Sequence, residues 1–88
     1  MNKIFSPEAW DDYIVWQKED KKTLKRINTL IKDIERNGFA RGIGKPEPLR
    51  GDLSGFWSRR IDEKNRLVYR ANGVDLEIVS CKTHYHDH

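Results

Sequence analysis

The chain predicts an α+β fold: two helices packed on a small, mainly antiparallel, twisted sheet, in the order β-α-α-β-β-β. Three observations carry that expectation. The first 37 residues hold two apolar stripes at helical spacing. From Gly38 onward the composition turns rich in Gly and Pro. Beyond Gly55, runs of β-branched and aromatic residues are separated by Asp62-Glu63-Lys64-Asn65 and by Asn72-Gly73, both hairpin connections.

Each element has a local reason. Lys3-Ile4-Phe5 makes a short first strand. Ser6 offers an N-cap, Pro7 suits the first helical position, and Glu8 complements the positive helix end. Trp10, Tyr13, Ile14 and Gln17 fall at helical spacing, giving a first helix of about a dozen residues. Asp20 caps a second helix whose stripe is Leu24, Ile27, Leu30, Ile31 and Ile34. Its other face carries Lys22, Lys25, Arg26, Lys32 and Arg36, and Asn37-Gly38 ends it, Gly taking the left-handed C′ conformation. Residues 38–55 read as an ordered loop punctuated by Gly42, Gly44, Pro46, Pro48, Gly51 and Gly55. Residues 56–61 and 66–70 form a hairpin, and a last strand runs from Val74 to about Thr83.

Composition narrows the functional classes. Eighty-eight residues make one domain, 1–88, with residues 86–88 expected as a short flexible tail. Leu, Ile, Val and Phe supply 21 residues, above the ~20% below which disorder is the default, and nine aromatics enlarge the core. No apolar run reaches the ~18 residues of a membrane span, and the first residues do not read as a signal peptide. The single cysteine, Cys81, rules out an internal disulfide framework and suits a reducing cytoplasm. No phosphate-loop or dinucleotide fingerprint occurs, and no cofactor is expected. A net charge of +3 permits a nucleic-acid partner without demanding one.

Four groups of residues can carry chemistry. The basic helix face could track RNA phosphates; interleaved with Asp33 and Glu35, it reads, taken alone, as the solvated face of an amphipathic helix. Ser58-Arg59-Arg60 and Arg66 lie on two strands joined tightly, so Arg66 falls within about a residue of the position opposite Arg60. Like charges facing each other on a sheet are unfavourable, so the pair either holds an anion or is neutralised by Glu63, Asp62 or Asp52. In Lys45-Pro46-Glu47-Pro48-Leu49-Arg50, the prolines restrict the stretch around Glu47 to extended backbone, which suits a positioned carboxylate base but by itself reads rather as a stiff surface loop. Last, His84-Tyr85-His86-Asp87-His88 offers imidazoles suited to proton transfer near neutral pH; a specific metal site there is not expected.

Metal-free cleavage of a phosphodiester needs a base for the ribose 2′-hydroxyl, cations for the anionic phosphorane, and an acid for the leaving 5′-oxygen. Glu47, Arg60 with Arg66, and His84 would fill those roles, and the 2′-hydroxyl would restrict the substrate to RNA.

At these residues the chain resembles the YoeB-type toxins of the RelE superfamily, the toxin half of bacterial type II toxin–antitoxin pairs. The resemblance runs from about Lys3 to Tyr85. It is carried by the blocks SPEAWDDY from Ser6, KPEPL from Lys45, LSGFWSRRI from Leu53, RLVY from Arg66, and His84-Tyr85. It implies a RelE-like fold and a ribosome-dependent mRNA endonuclease that cuts the codon in the A site of the 70S ribosome, leaving 2′,3′-cyclic phosphate and 5′-hydroxyl ends. Carried over residue by residue, it makes Glu47 the general base and His84 the general acid. Arg66, assisted by Arg60, stabilises the phosphate, and Tyr85 helps arrange the site. Lys45 and Arg50, with Arg59 beside them, are the expected RNA contacts. The implied partner is a YefM-like antitoxin, DNA being contacted only through it, and toxins of this type often form homodimers. The competing readings are a non-catalytic ribosome- or RNA-binding module, and a co-repressor subunit acting with its antitoxin. The family commonly ends near the His-Tyr pair, whereas this chain continues with His86-Asp87-His88.

Overall fold

Both capping residues read from the sequence act as caps. In the computed structural model, which describes residues 1–82, the Ser6 hydroxyl accepts the Ala9 N–H at 3.0 Å and opens helix α1 (Pro7–Glu19). The Asp20 carboxylate accepts the Thr23 N–H at 3.1 Å and opens helix α2 (Lys21–Asn37). Helix α2 buries Ile27, Leu30, Ile31 and Ile34, the stripe its spacing requires. At its end Gly38 has the positive φ expected, 88°, but with ψ at 179°. The chain therefore leaves the helix through a region open only to Gly, rather than by a left-handed cap.

Helix α1 differs from expectation. Its inward side runs through Ala9, Tyr13 and Trp16, one residue out of step with Trp10 and Gln17. Small Ala9 lets the helix approach the sheet closely, so bulky Trp10 turns outward. It stacks on Tyr13 at 5.9 Å and meets Phe5 edge-on at 5.6 Å.

The sheet has five strands: β1 (Asn2–Phe5), β2 (Glu47–Pro48), β3 (Trp57–Arg60), β4 (Arg66–Ala71) and β5 (Asp75–Ser80). Their order is β1-β5-β4-β3-β2, antiparallel except for the parallel β1–β5 pair. The unexpected strand is β2, which lies inside the segment read as loop. Proline cannot donate to a ladder, yet an edge strand needs its donors on one side only, and β2 is an edge. Strand β5 stops at Ser80, short of Thr83. At Cys81 the backbone bonds turn to α1 instead, the N–H donating to Asp12 at 3.0 Å and the carbonyl accepting from the Trp16 indole at 2.7 Å.

Alternation along the strands gives the sheet two unlike faces. Leu67, Tyr69, Leu76 and Ile78 point toward the two helices and join their stripes in one core. The opposite face carries Glu47, Ser58, Arg60, Arg66, Val68 and Arg70, and no helix packs on it among the described residues. No helix is long and apolar enough to cross a membrane among the described residues.

Candidate active site

The helix-free face is organised in rows by strand register. Arg60 pairs directly with Arg66 across β3 and β4. The next row is Glu47–Ser58–Val68, running from β2 through β3 to β4. Cross-strand diagonal neighbours lie about 7–8 Å apart, which sets Arg60 beside Glu47, with Arg66 one strand further on the same face. Ser58 and Val68, each 3% exposed, form the floor between them. Arg60 is exposed and Arg66 half-buried.

Neither Arg60 nor Arg66 forms an ion pair among the described residues. Asp62, one of the expected neutralisers, is spent on its own turn: it accepts from the N–H groups of Lys64 at 2.8 Å and Asn65 at 2.6 Å. Burial raises its pKa, but these bonds outweigh it and hold the carboxyl below its ordinary value. The register therefore sets two arginines side by side on this face, and the planar donor fork of each is chemically suited to a phosphate oxyanion.

Glu47 is held by its backbone. Lys45, just before the Pro46-Glu47-Pro48 run, has φ 52°, the one positive φ among described residues that are not glycine. This departs from the extended backbone expected ahead of Pro46, and such a residue stores strain of order 1 kcal/mol or more. Gly44 lets the chain turn in: a Cβ there would lie 2.8 Å from Leu30 Cδ2, and at Gly42 one would lie 1.8 Å from the Asp33 carboxylate. The Gly44 carbonyl accepts the Arg60 N–H at 2.7 Å, and the Leu49 N–H donates to Phe56 at 2.9 Å, so the Glu47 segment is stitched to β3 at both ends.

Arg59 is not available to RNA, contrary to expectation. It is fully buried on the core side, and all five guanidinium donors are used. Nε donates to the Tyr69 hydroxyl, Nη1 to Asp33 and the Ile43 carbonyl, and Nη2 to the carbonyls of Gly38 and Arg41. The reason is alternation: of two adjacent strand residues, one must face the helices. Arg59 thus ties the 38–43 loop to β3, and Tyr69, whose phenol burial pushes up and keeps protonated, donates to the Phe39 carbonyl. The pairing of Asp33 and Tyr69 with Arg59 emerges only in the structure. Helical spacing alone gives no signal for this contact, since a residue next to the buried Ile34 ordinarily faces solvent.

Lys45 and Arg50 are exposed on either side of Glu47. Lys22, Lys25, Lys32 and Arg36 of α2 are exposed, whereas Arg26, on the same basic face, donates to the Arg60 carbonyl at 3.1 Å. Cys81 is buried with its thiol pushed up to about 12 by desolvation and by Asp12, so it is not a nucleophile. His84 and Tyr85 lie outside the described residues, as does the 86–88 tail. No group of three metal-ligating side chains occurs among the described residues.

Two helices on one face of a five-stranded mixed sheet define the α+β fold of RelE-like toxins. YafQ of E. coli has this fold at 18% identity, covering 93% of this chain and 91% of its own, with a TM-score of 0.77. Within that class the sequence is specific. The family model for the YoeB-like toxin of bacterial type II toxin-antitoxin systems matches residues 5–85, and the chain belongs to this family. Toxin YoeB of Escherichia coli K12 is 55% identical over 85 residues, spanning 97% of this chain and 100% of that one. Toxin RelK of Mycobacterium tuberculosis is 55% identical over 81 residues, 92% of this chain and 94% of its own. The YoeB dimer from Staphylococcus aureus superposes with a TM-score of 0.92 at 50% identity, covering 97% and 98% of the two chains. The YoeB–YefM complex from the same organism gives 0.90 at 49%, with the same coverage.

Proposed function

We propose that this toxin is a ribosome-dependent mRNA endonuclease, working without a metal on a codon held in the ribosomal A site. Glu47 takes the proton from the ribose 2′-hydroxyl, the 2′-oxygen attacks phosphorus, and the 5′-oxygen leaves with a proton from His84. The products are a 2′,3′-cyclic phosphate and a 5′-hydroxyl. Arg66 and Arg60 stabilise the phosphorane, whose charge exceeds that of the ground-state diester. Tyr85 helps arrange the acid, and Lys45 and Arg50 hold flanking phosphates. The observation that supports this reading most is the register: two arginines without an ion-pair partner among the described residues face each other one row from a carboxylate. Like-charge pairing on a sheet is unfavourable unless something offsets it, and a bound phosphate would do so.

Alignment for in-line attack supplies several kcal/mol, and a codon held at both ends by the ribosome provides it. The reading extends to a YefM-like antitoxin partner, by likeness to the S. aureus complex, to homodimers, and to action in the cytoplasm. Primer extension on a reporter message in a translating extract, with and without ribosomes, tests it. Cuts confined to ribosome-bound message are expected. Normal translation with no cuts would leave a non-catalytic binding module in its place.

A further inference from the structure

One cluster on the helix-free face is used by nothing above. Phe56 precedes β3 and lies opposite Arg70 by continuation of the register, one row beyond Glu47–Ser58–Val68. The Glu47 row therefore sits between the Arg60–Arg66 row and a Phe56–Arg70 row. The Arg70 guanidinium lies over the Phe56 ring, 4.7 Å from its centroid. Both Nε and Nη2 donate to the same oxygen of Glu77, at 2.9 and 2.6 Å. The guanidinium is thus fixed with one face on an aromatic ring and one edge on a carboxylate, while 53% of its side chain stays exposed.

We propose that Phe56, Arg70 and Glu77 form a stacking subsite for the nucleobase next to the cleaved bond, an inference that rests on the RNA-cleaving reading. The charges of the two rows separate their ligands. Arg60 and Arg66 have no counter-ion among the described residues and suit a phosphate, whereas Arg70 is already neutralised by Glu77 and offers a flat, nearly uncharged surface. A planar, uncharged base fits that surface, since Arg guanidinium planes and aromatic rings are the platforms on which unstacked RNA bases rest. Rows are about 6.8 Å apart along a strand, so the platform lies about 6.8 Å from the Glu47 row and about 13.6 Å from the arginine pair, which places it at the nucleotide flanking the one whose phosphate the arginines would hold. The Glu77 Oε1 atom has no hydrogen-bond partner among the described residues, and Glu77 lines a cavity of about 130 Å³ together with Arg70, Ala71, Asn72 and Asp75. It would accept from an exocyclic amino group, so adenine, cytosine or guanine is favoured over uracil there.

The test uses the full chain on programmed 70S ribosomes carrying a codon with 2-aminopurine at each position in turn and a 2′-O-methyl group at the attacked ribose. Unaltered protein should quench 2-aminopurine at one position. Arg70→Ala should abolish that quenching and raise the half-saturating ribosome concentration for cleavage of ordinary codons ~5- to 30-fold. The single-turnover rate at saturation should change less than threefold. Arg70→Lys should not rescue, because an ammonium has no plane to stack. Thermal melting of Arg70→Ala should match the parent, since the lost ion pair is exposed. If the parent cleaves while Arg70→Ala leaves quenching and half-saturation unchanged, the subsite is refuted and the nuclease reading survives. Loss of antitoxin binding in Arg70→Ala, with RNA behaviour unchanged, would refute it in favour of a protein-docking face. A parent that cuts no message on ribosomes would refute both readings together.

Discussion

Replacing Asp33 with Ala should unfold this protein at far lower temperature, although Asp33 lies on the side of the sheet away from the candidate site. The carboxylate accepts from Arg59, from the Ile43 N–H at 3.1 Å and from Asn37 at 2.8 Å. Arg59 itself has no exposed side-chain surface and no other anionic partner among the described residues. Its remaining acceptors are the Tyr69 hydroxyl and three backbone carbonyls, which satisfy donors but do not neutralise charge. Removing one member of a buried pair costs ~3–5 kcal/mol. Asp33 keeps 16% exposure, so water reaches the cluster and the lower end, about 3 kcal/mol, applies. At ~0.05–0.15 kcal/mol per residue the whole chain holds roughly 4–13 kcal/mol, so a quarter or more would be lost. The melting temperature should fall by about 12–24 °C, read by circular dichroism and checked by urea titration. Adding Arg59→Met to Asp33→Ala should recover part of the loss, because the stranded charge goes with it. A loss below ~1 kcal/mol for Asp33→Ala alone would refute the claim that Arg59 depends on this carboxylate. Acid should act through the same group. Burial raises the Asp33 pKa, but the bonds from Arg59, Ile43 and Asn37 outweigh it and hold it below the ordinary 3.8. Its stabilisation is therefore full above pH 3.8 and disappears as pH drops toward the lower folded value, and Asp33→Ala should shed that part of the acid limb.

Three further outcomes are expected. Arg66→Ala should lower the single-turnover cleavage rate on saturating ribosomes ~10²- to 10³-fold, with Arg66→Lys recovering only part; weakened binding with an unchanged saturated rate would make Arg66 a docking residue. His84→Gln keeps a hydrogen-bonding side chain without a titratable acid and should cost ~10²-fold or more in cleavage. If it cuts at the parent rate, His86→Ala in that background decides whether His86 substitutes. Cys81 should resist iodoacetamide in the folded protein at pH 8 and react fully in urea, because its thiol is buried and raised to about 12; fast labelling of the folded chain would contradict the burial.

The sequence by itself determined what depends on neighbours along the chain. Ser6 and Asp20 as caps, the Ile27–Ile34 stripe, the turns at Asp62 and Asn72, and the near-opposition of Arg60 and Arg66 all follow from short-range spacing, and the ordered blocks around Glu47 and Arg66 carried the family. Tertiary structure decided what depends on partners far along it. β1 pairs in parallel with β5 across more than seventy residues, and no local pattern encodes that choice. β2 is a strand only because β3 offers Ser58 and Trp57 as partners at the edge, against the propensity of its own proline. Arg59 and Arg60 show the division most clearly. They are identical and adjacent, and the pleat sends one to each face of the sheet. Which one meets water depends on which face the apolar stripes of the helices cover, so Arg59 lies beneath them against Asp33 while Arg60 stands opposite Arg66 on the uncovered side.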